Sequence, residues 1–348
     1  QTKGNLMKRL LAAALLALAA VPAAAQEKKV NVYNWSDYVD PQVLKDFEAE
    51  TGIKVVYDVY DKNEILEAKL VAGKSGYDVV VPSGPFLQRF VKAKLFQPVD
   101  RAKLANYGNL WPEIMQKLQV FDPGNRHAVN YMWGTTGIGI NVKKVKERLG
   151  ERPLDTWDLL LKPELIGKLK DCGVHVLDAP EDIFPGTLRW LGLNPDSKTE
   201  ADLRKAADAL VKIRGNVRKF HSSEYINALA NGDICMAVGY SGDILQAANR
   251  AKEAKNGVEI AYLVPREGAL MWFDSMAIPA DAPNAANALA FIDYMLRPDV
   301  AAKNTNLVNY ASGNLAAKPK VDPAILNNPG VYPTDAVFAK LFTNTAYD

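Results

Sequence analysis

An α/β protein of two lobes is predicted by three features of the sequence. The chain has 348 residues, 48% of them hydrophobic, enough for two cores at roughly 150 residues per domain. Over its first hundred residues, strand-like apolar runs alternate with helical patterns as β-α-β-α-β, the order of a doubly wound sheet. No tandem repeat or low-complexity linker divides the chain, which favours lobes joined by crossing strands over lobes on a flexible tether.

Ahead of the fold, Lys8 and Arg9 precede an apolar run from Leu10 to Val21, then Pro22 and Ala23-Ala24-Ala25. A basic start, an apolar segment too short to span a bilayer and small residues before a cut are the marks of a signal peptide. Residues 1–25 are expected to be removed before Gln26, with Met7 as the start and 1–6 as upstream or added sequence. A retained anchor is the alternative; no later run is apolar enough to cross a membrane. Removing Lys3, Lys8 and Arg9 turns a net charge of +2 into −1, with 39 basic against 40 acidic residues. No basic block points to nucleic acid.

The first strand is Lys29 to Tyr33. It delivers Asn34-Trp35-Ser36-Asp37-Tyr38 to its carboxyl end, where open α/β sheets bind ligands; a surface turn is the competing reading. Asp40-Pro41 caps and starts a helix with Val43, Leu44 and Phe47 inward, stopped at Thr51-Gly52. Ile53 to Tyr60 is β-rich. Asn63 to Ala72 is a helix with Ile65, Leu66 and Leu70 inward. Tyr77 to Val81 is a continuous apolar strand of the kind buried on both faces, and it ends at Pro82-Ser83-Gly84.

Tyr131 to Val142 is glycine-interrupted and β-branched, a strand leaving the first lobe. Asp155-Thr156 caps a helix carrying Trp157. Ser197 to Glu200 is a capping box, with Leu203, Ala207, Leu210 and Val211 on the inner face of its helix. Tyr225 to Ala230 is helical. Ile234 to Val238 is a strand ending at Gly239-Tyr240-Ser241-Gly242-Asp243, before a helix from Ile244 to Lys255. Met271 to Pro279 is strand-like. Asn284 to Leu296 is a helix with Ala288, Phe291, Ile292 and Met295 inward, and Asn309-Tyr310 follow another helix.

Three strand ends pair an aromatic ring with an acid: Trp35 with Asp37, Tyr240 with Asp243, and Trp272 with Asp274. Aromatic faces attract cations by roughly 0.5–2 kcal/mol each, and a carboxylate hydrogen-bonded to an ammonium adds about 1.5–3 kcal/mol. An extended diamine or polyamine fits that chemistry; core packing is the alternative for each pair taken alone. Enzymatic readings fare worse. His127, His175 and His221 have no metal-ligand spacing, and there is no GxSxG elbow. Glu181-Asp182 could serve as acid and base, but adjacent acids after a strand usually start a helix. Tyr38, Tyr240 and Tyr310 do not form a vicinal pair for ferric iron. Cys172 and Cys235 lack the CxxC spacing of a zinc site; in an exported chain they suggest one disulfide, with two buried thiols as the alternative.

From about Lys29 to the C-terminus the chain resembles the periplasmic substrate-binding proteins of bacterial polyamine ABC importers, the putrescine and spermidine receptors. The resemblance rests on YNWSDY (33–38), FEAETGIKVVYDVYD (47–61), YDVVVPS (77–83), YMWGTTGIGINV (131–142), CGVHVLDAPED (172–182), HSSEYINALANGDICMAVGYSGD (221–243), REGALMWFDSMAIPADA (266–282) and LRPDV (296–300). It implies a class II two-lobe fold, each lobe a mixed sheet flanked by helices, with the ligand cleft between them. The expected division is 27–136 plus 273–308 for lobe 1, and 137–272 plus 309–348 for lobe 2.

The resemblance further implies a polyamine site of Trp35, Ser36, Tyr38 and Ser83 from the first lobe. Asp182, Tyr240 and Asp243 come from the second, with Trp272 and Asp274 near the hinge strand and Tyr310 closing the set. Asp243 and Asp274 pair with ammonium groups, and Trp35, Tyr240 and Trp272 wall the methylenes. A Cys172–Cys235 disulfide, no cofactor, a periplasmic location, a membrane ABC permease as partner and a monomeric state are likewise implied. Asp182 stands where many members have Glu, and Tyr240 where many have Trp. Trp272 is of the spermidine type and Ala179 of the putrescine type, so a receptor accepting both is expected, with spermidine slightly favoured for the larger stacking face of the indole. Members usually continue past the position of Asp348. A receptor of the same fold for a carbohydrate or ferric ion, and a scaffold or adhesion protein that has lost transport, are the alternatives.

Overall fold

A computed structural model describes residues 28–347; the expected signal peptide, 1–25, lies outside them. Among the described residues no helix is long and apolar enough to cross a membrane. The strands are β1 (Lys29–Trp35), β2 (Lys54–Tyr60), β3 (Val79–Val80), β4 (Ala128–Asn141), β5 (Val174–Val176), β6 (Lys219–Phe220), β7 (Met236–Tyr240), β8 (Ile260–Leu263), β9 (Leu270–Ala277) and β10 (Ala311–Ser312). They join in the order β2-β1-β3-β9-β4-β7-β5-β6, with β8 and β10 paired to β4. β1 runs parallel to β2 and β3, and β5 parallel to β6 and β7, whereas β4 is antiparallel to β7, β8 and β9.

This sheet serves two separate cores. One gathers Val30, Val32, Phe47, Phe90, Phe273 and Phe291; the other gathers Ile138, Leu159, Val174, Leu229 and Val238. β4 connects them. Its first part, Ala128–Thr136, lies against β9, and its last part, Thr136–Asn141, against β7 and β8. Every residue of β4 and β9 is buried, consistent with strands covered on both faces. β4 thus crosses between the cores, and β9, whose buried apolar side chains belong to the first core, follows β8 and brings the chain back to it. Cys172 and Cys235 form a disulfide with Cα atoms 5.5 Å apart, tying the start of β5 to that of β7.

The expectation that 309–348 belongs to the second lobe does not match the packing. Tyr310, Ala311 and Val331 belong to the first core, and Ile325, Tyr332 and Phe338 pack against it. The stretch also touches the second body: Tyr310 bonds Asp243, Asn344 donates to the carbonyl of Glu181 at 2.9 Å, and Thr345 to Asp196.

Several helices match the sequence closely. Asp40 accepts from the Gln42 amide at 2.8 Å and starts Pro41–Thr51, which Gly52 ends at φ 66°. Ala285–Met295 buries Ala288, Phe291, Ile292 and Met295 as its periodicity requires. Other expectations shift. The helix Asn63–Val71 buries Leu66 and Leu70 but leaves Ile65 41% exposed. The strand expected at Tyr77–Val81 shortens to Val79–Val80, because Asp78 is turned into a bracket. Its carboxylate accepts from the amides of Asn31 and Asn284.

Thr199, not Ser197, caps Glu200–Arg214, and Ser197 instead donates to Asp202. That helix buries Ala206, Ala209 and Ile213, while Val211 is 69% exposed. Trp157 is buried packing, as expected, but it precedes the short helix Asp158–Leu161 rather than lying in it. β7 runs to Tyr240, and the next helix, Ser241–Ala254, begins at once, three residues earlier than the sequence pattern suggested.

Candidate functional site

All ten residues singled out in the sequence line one cavity between the two bodies. Trp35 and Ser36 stand at the carboxyl end of β1, Tyr38 in the turn beyond it, and Ser83 beyond β3. Tyr240 ends β7 and Asp243 lies in the first turn of Ser241–Ala254. Trp272 and Asp274 are two residues apart on β9 and therefore point to one face. Asp182 is in the first turn of the helix Pro180–Trp190, and Tyr310 follows the helix Pro298–Val308.

The rings meet edge to face around the cavity. Tyr38 and Tyr310 have centroids 5.1 Å apart, Tyr310 and Trp272 5.3 Å, Trp272 and Tyr240 5.6 Å, and Tyr240 and Trp35 6.5 Å. Such contacts are worth about 0.5–1.5 kcal/mol beyond area burial. They fix the wall before any ligand arrives. Trp35 is further held by its Nε1–H donating to the Val81 carbonyl at 2.9 Å.

Three of the inward acids are paired with tyrosine or serine hydroxyls. Asp274 accepts from Ser83 at 2.7 Å and from Tyr38 at 2.8 Å. Asp243 accepts from Tyr310 at 2.6 Å and Tyr225 at 2.7 Å, and Asp182 accepts from Tyr240 at 3.0 Å. Gly242 makes the Asp243 arrangement possible, since a Cβ there would lie 2.5 Å from the Tyr310 ring. Burial pushes Asp274 and Asp182 up to about 7 and Asp243 up to about 6, against the pull of these hydroxyl donors. Burial first, and then the facing carboxylates, raise Tyr38, Tyr240 and Tyr310, which stay protonated and donate.

The sequence reading missed several residues. Tyr60, Asn63, Phe86, Glu181, Leu270 and Asn344 also line the cavity. Asn63 brackets Ser83, accepting from its amide at 3.1 Å and donating to its hydroxyl at 3.2 Å. Tyr225 lies behind Asp243. Tyr60 ends β2 as Trp35 ends β1, and that shared position was the signal available for it. The acid pair Glu181-Asp182 does start a helix, as read, yet both members also face the cavity. Glu181 is pushed up to about 7 by burial, against the Arg89 guanidinium 3.2 Å away.

Five acids line the cavity, Asp61, Glu181, Asp182, Asp243 and Asp274, and no Lys, Arg or His is among the described lining residues. At the rim, ion pairs bridge the two bodies, among them Arg250 with Asp37 at 2.7 Å, Arg89 with Glu181, and Lys62 with Asp178. The bodies are therefore closed on each other. Among the described residues no group of three or more His, Cys, Asp or Glu is arranged to hold a metal ion.

Residues 42–334 match the family described as bacterial extracellular solute-binding protein. The chain is 54% identical over 342 residues to the putrescine-binding periplasmic protein PotF of Escherichia coli (strain K12), covering 97% of this chain and 92% of the relative. It is 35% identical over 328 residues to the spermidine/putrescine-binding periplasmic protein of the same organism, covering 94% and 89%. Among solved structures, it superposes with a TM-score of 0.75 on the spermidine/putrescine ABC transporter substrate-binding protein PotD from Streptococcus pneumoniae. Identity there is 30%, with 92% of this chain and 94% of the other covered.

Proposed function

The chain belongs to the bacterial extracellular solute-binding proteins, and from that premise we propose that it binds a polyamine between its lobes and hands it to a membrane ABC permease. It is an extracytoplasmic, periplasmic receptor, like the polyamine-binding relatives it matches. The observation that carries the reading is the charge of the cavity: five acids and no base within an aromatic wall. Such a space favours an elongated polycation over a neutral sugar. Trp35, Tyr240 and Trp272 stack on the methylenes, while Asp243 and Asp274 take ammonium groups. Ser36, Tyr38, Ser83, Asp182 and Tyr310 complete the contact set.

Export through residues 1–25, action as a monomer and a binding rather than catalytic role belong to the same proposal. So does a lobe division of 27–136 plus 273–308 against 137–272, with the chain after 308 carried mainly by the first core.

Thermal unfolding of the mature chain with putrescine, cadaverine, spermidine, spermine, a sugar set and ferric citrate tests it. A ligand at about 100 times its Kd stabilises by about 2.7 kcal/mol, enough to raise the midpoint by several degrees. A shift confined to polyamines is expected; a response to sugar or iron alone would overturn the reading.

Affinity should also depend on pH. An ammonium needs ionised partners, and the empty site holds protons on Asp274, Asp182 and Asp243 below about 7, 7 and 6. The bound form then carries fewer protons than the empty one, so affinity rises as pH climbs through that window and levels above it. Titration calorimetry in buffers of different ionisation enthalpy should register proton release near neutrality. No release, with affinity flat from below 6 to above 7, would place the ammonium groups elsewhere.

A further inference from the structure

Gly134 lies on β4 directly opposite Trp272 on β9. Facing residues of an antiparallel pair project to the same side, so any side chain at 134 would rise beside the indole. A methyl group there would lie 2.6 Å from Cζ2 and 2.8 Å from Cη2 of Trp272, and 2.9 Å from the Ser241 hydroxyl. Carbon atoms in contact sit about 3.5–4.0 Å apart, so the indole would have to move by about 1 Å. The backbone does not itself demand glycine, since Gly134 is outside the left-handed region. What excludes a side chain is the ring.

Two further observations make the ring's position depend on this recess. The Trp272 Nε1–H is buried and has no hydrogen-bond partner among the described residues, so packing locates the indole. The serine that closes the recess is itself held, its hydroxyl accepting from the Thr135 amide at 3.3 Å. A displaced indole therefore cannot push the serine aside cheaply. The indole also meets the rings of Tyr240 and Tyr310 and itself lines the cavity, so a shift of the ring reshapes that space.

We propose that Gly134 is a specificity-determining residue. By receiving the benzo edge of Trp272, it keeps the cavity long enough for a triamine although the wall carries an indole. The inference rests on the polyamine reading and deepens it. Position 134 touches no ligand; it acts through Trp272.

Titration calorimetry with putrescine and spermidine on the parent, G134A, W272F and G134A/W272F tests it. W272F alone should move preference towards putrescine, because the stacking face shrinks. G134A should lower spermidine affinity by about tenfold more than putrescine affinity. In the W272F background the same change should alter the ratio by less than about threefold, since a phenyl ring lacks the Cζ2–Cη2 edge. A parent-like ratio in G134A, or an undiminished loss in the W272F background, would overturn the role of Gly134 and leave the polyamine reading intact. A parent that binds neither amine would overturn both, before any variant is made. Should G134A alone not fold, W272F and G134A/W272F decide: matching ratios in a folded double variant support the inference, and differing ratios sink it.

Discussion

Replacing Asp274 by alanine is expected to weaken polyamine binding by more than about 2 kcal/mol, or about 30-fold. Asp274 is 4% exposed and bridges Ser83 and Tyr38. Removing it strands both hydroxyls and leaves an ammonium without its anion in a low-dielectric space. The fold should tolerate the loss. The empty site already holds this carboxyl protonated below about 7, so no compensated charge pair is broken. Asp274→Asn preserves the shape but not the charge and should lose nearly as much affinity. Calorimetry with spermidine and putrescine reads the effect; a Kd within about threefold of the parent would remove Asp274 from the site.

The largest effect on stability should come from the disulfide. Cys172 and Cys235 are 63 residues apart, and a closed loop of that size restricts the unfolded chain by about 4 kcal/mol on the chain-entropy model. The double change Cys172→Ser, Cys235→Ser should lower the unfolding free energy by an amount of that order, read from denaturant titration against the oxidised parent. Well below the transition, polyamine affinity should persist, because Tyr240 and Asp243 lie at the far end of β7 from the bridge. A change under about 1 kcal/mol would mean that residual structure already restricts the unfolded chain about as much as the bridge does.

Much of the cavity lining was legible because part of it shares one local grammar, a strand that ends in an aromatic ring and an acid. β7 obeys it with Tyr240 and Asp243; β1 obeys it only in part, since Asp37 turns to Arg250 at the rim, and Trp272 and Asp274 lie within β9, not at its end. Helix starts such as Asp40-Pro41 are equally local. What the sequence hid is set by partners far along the chain. Asp78 shortens a strand because Asn284, 206 positions away, needs its carboxylate. Asn63 and Tyr225 support Ser83 and Asp243 from behind, where no periodicity marks them. Val211 and Leu203 carry apolar character to a helix face that the small residues Ala206 and Ala209 occupy instead, since close helix packing selects for size as well as hydrophobicity. The C-terminal stretch was assigned to the wrong body for a related reason. Its attachment rests on the two-residue strand β10 against β4 and on scattered contacts of Val331, Ile325, Tyr332 and Phe338, too short and too dispersed to show as a periodic pattern.

The partition of the contact set between two bodies has a kinetic consequence. With Ser36, Tyr38 and Ser83 on one side and Asp182, Tyr240 and Asp243 on the other, neither half alone can surround a cation. Capture is then a sequence of encounter at one half and enclosure by the second, and escape must reverse the enclosure first. On the proposed site, residence time depends on how often the rim pairs Arg250–Asp37, Arg89–Glu181 and Lys62–Asp178 let go together.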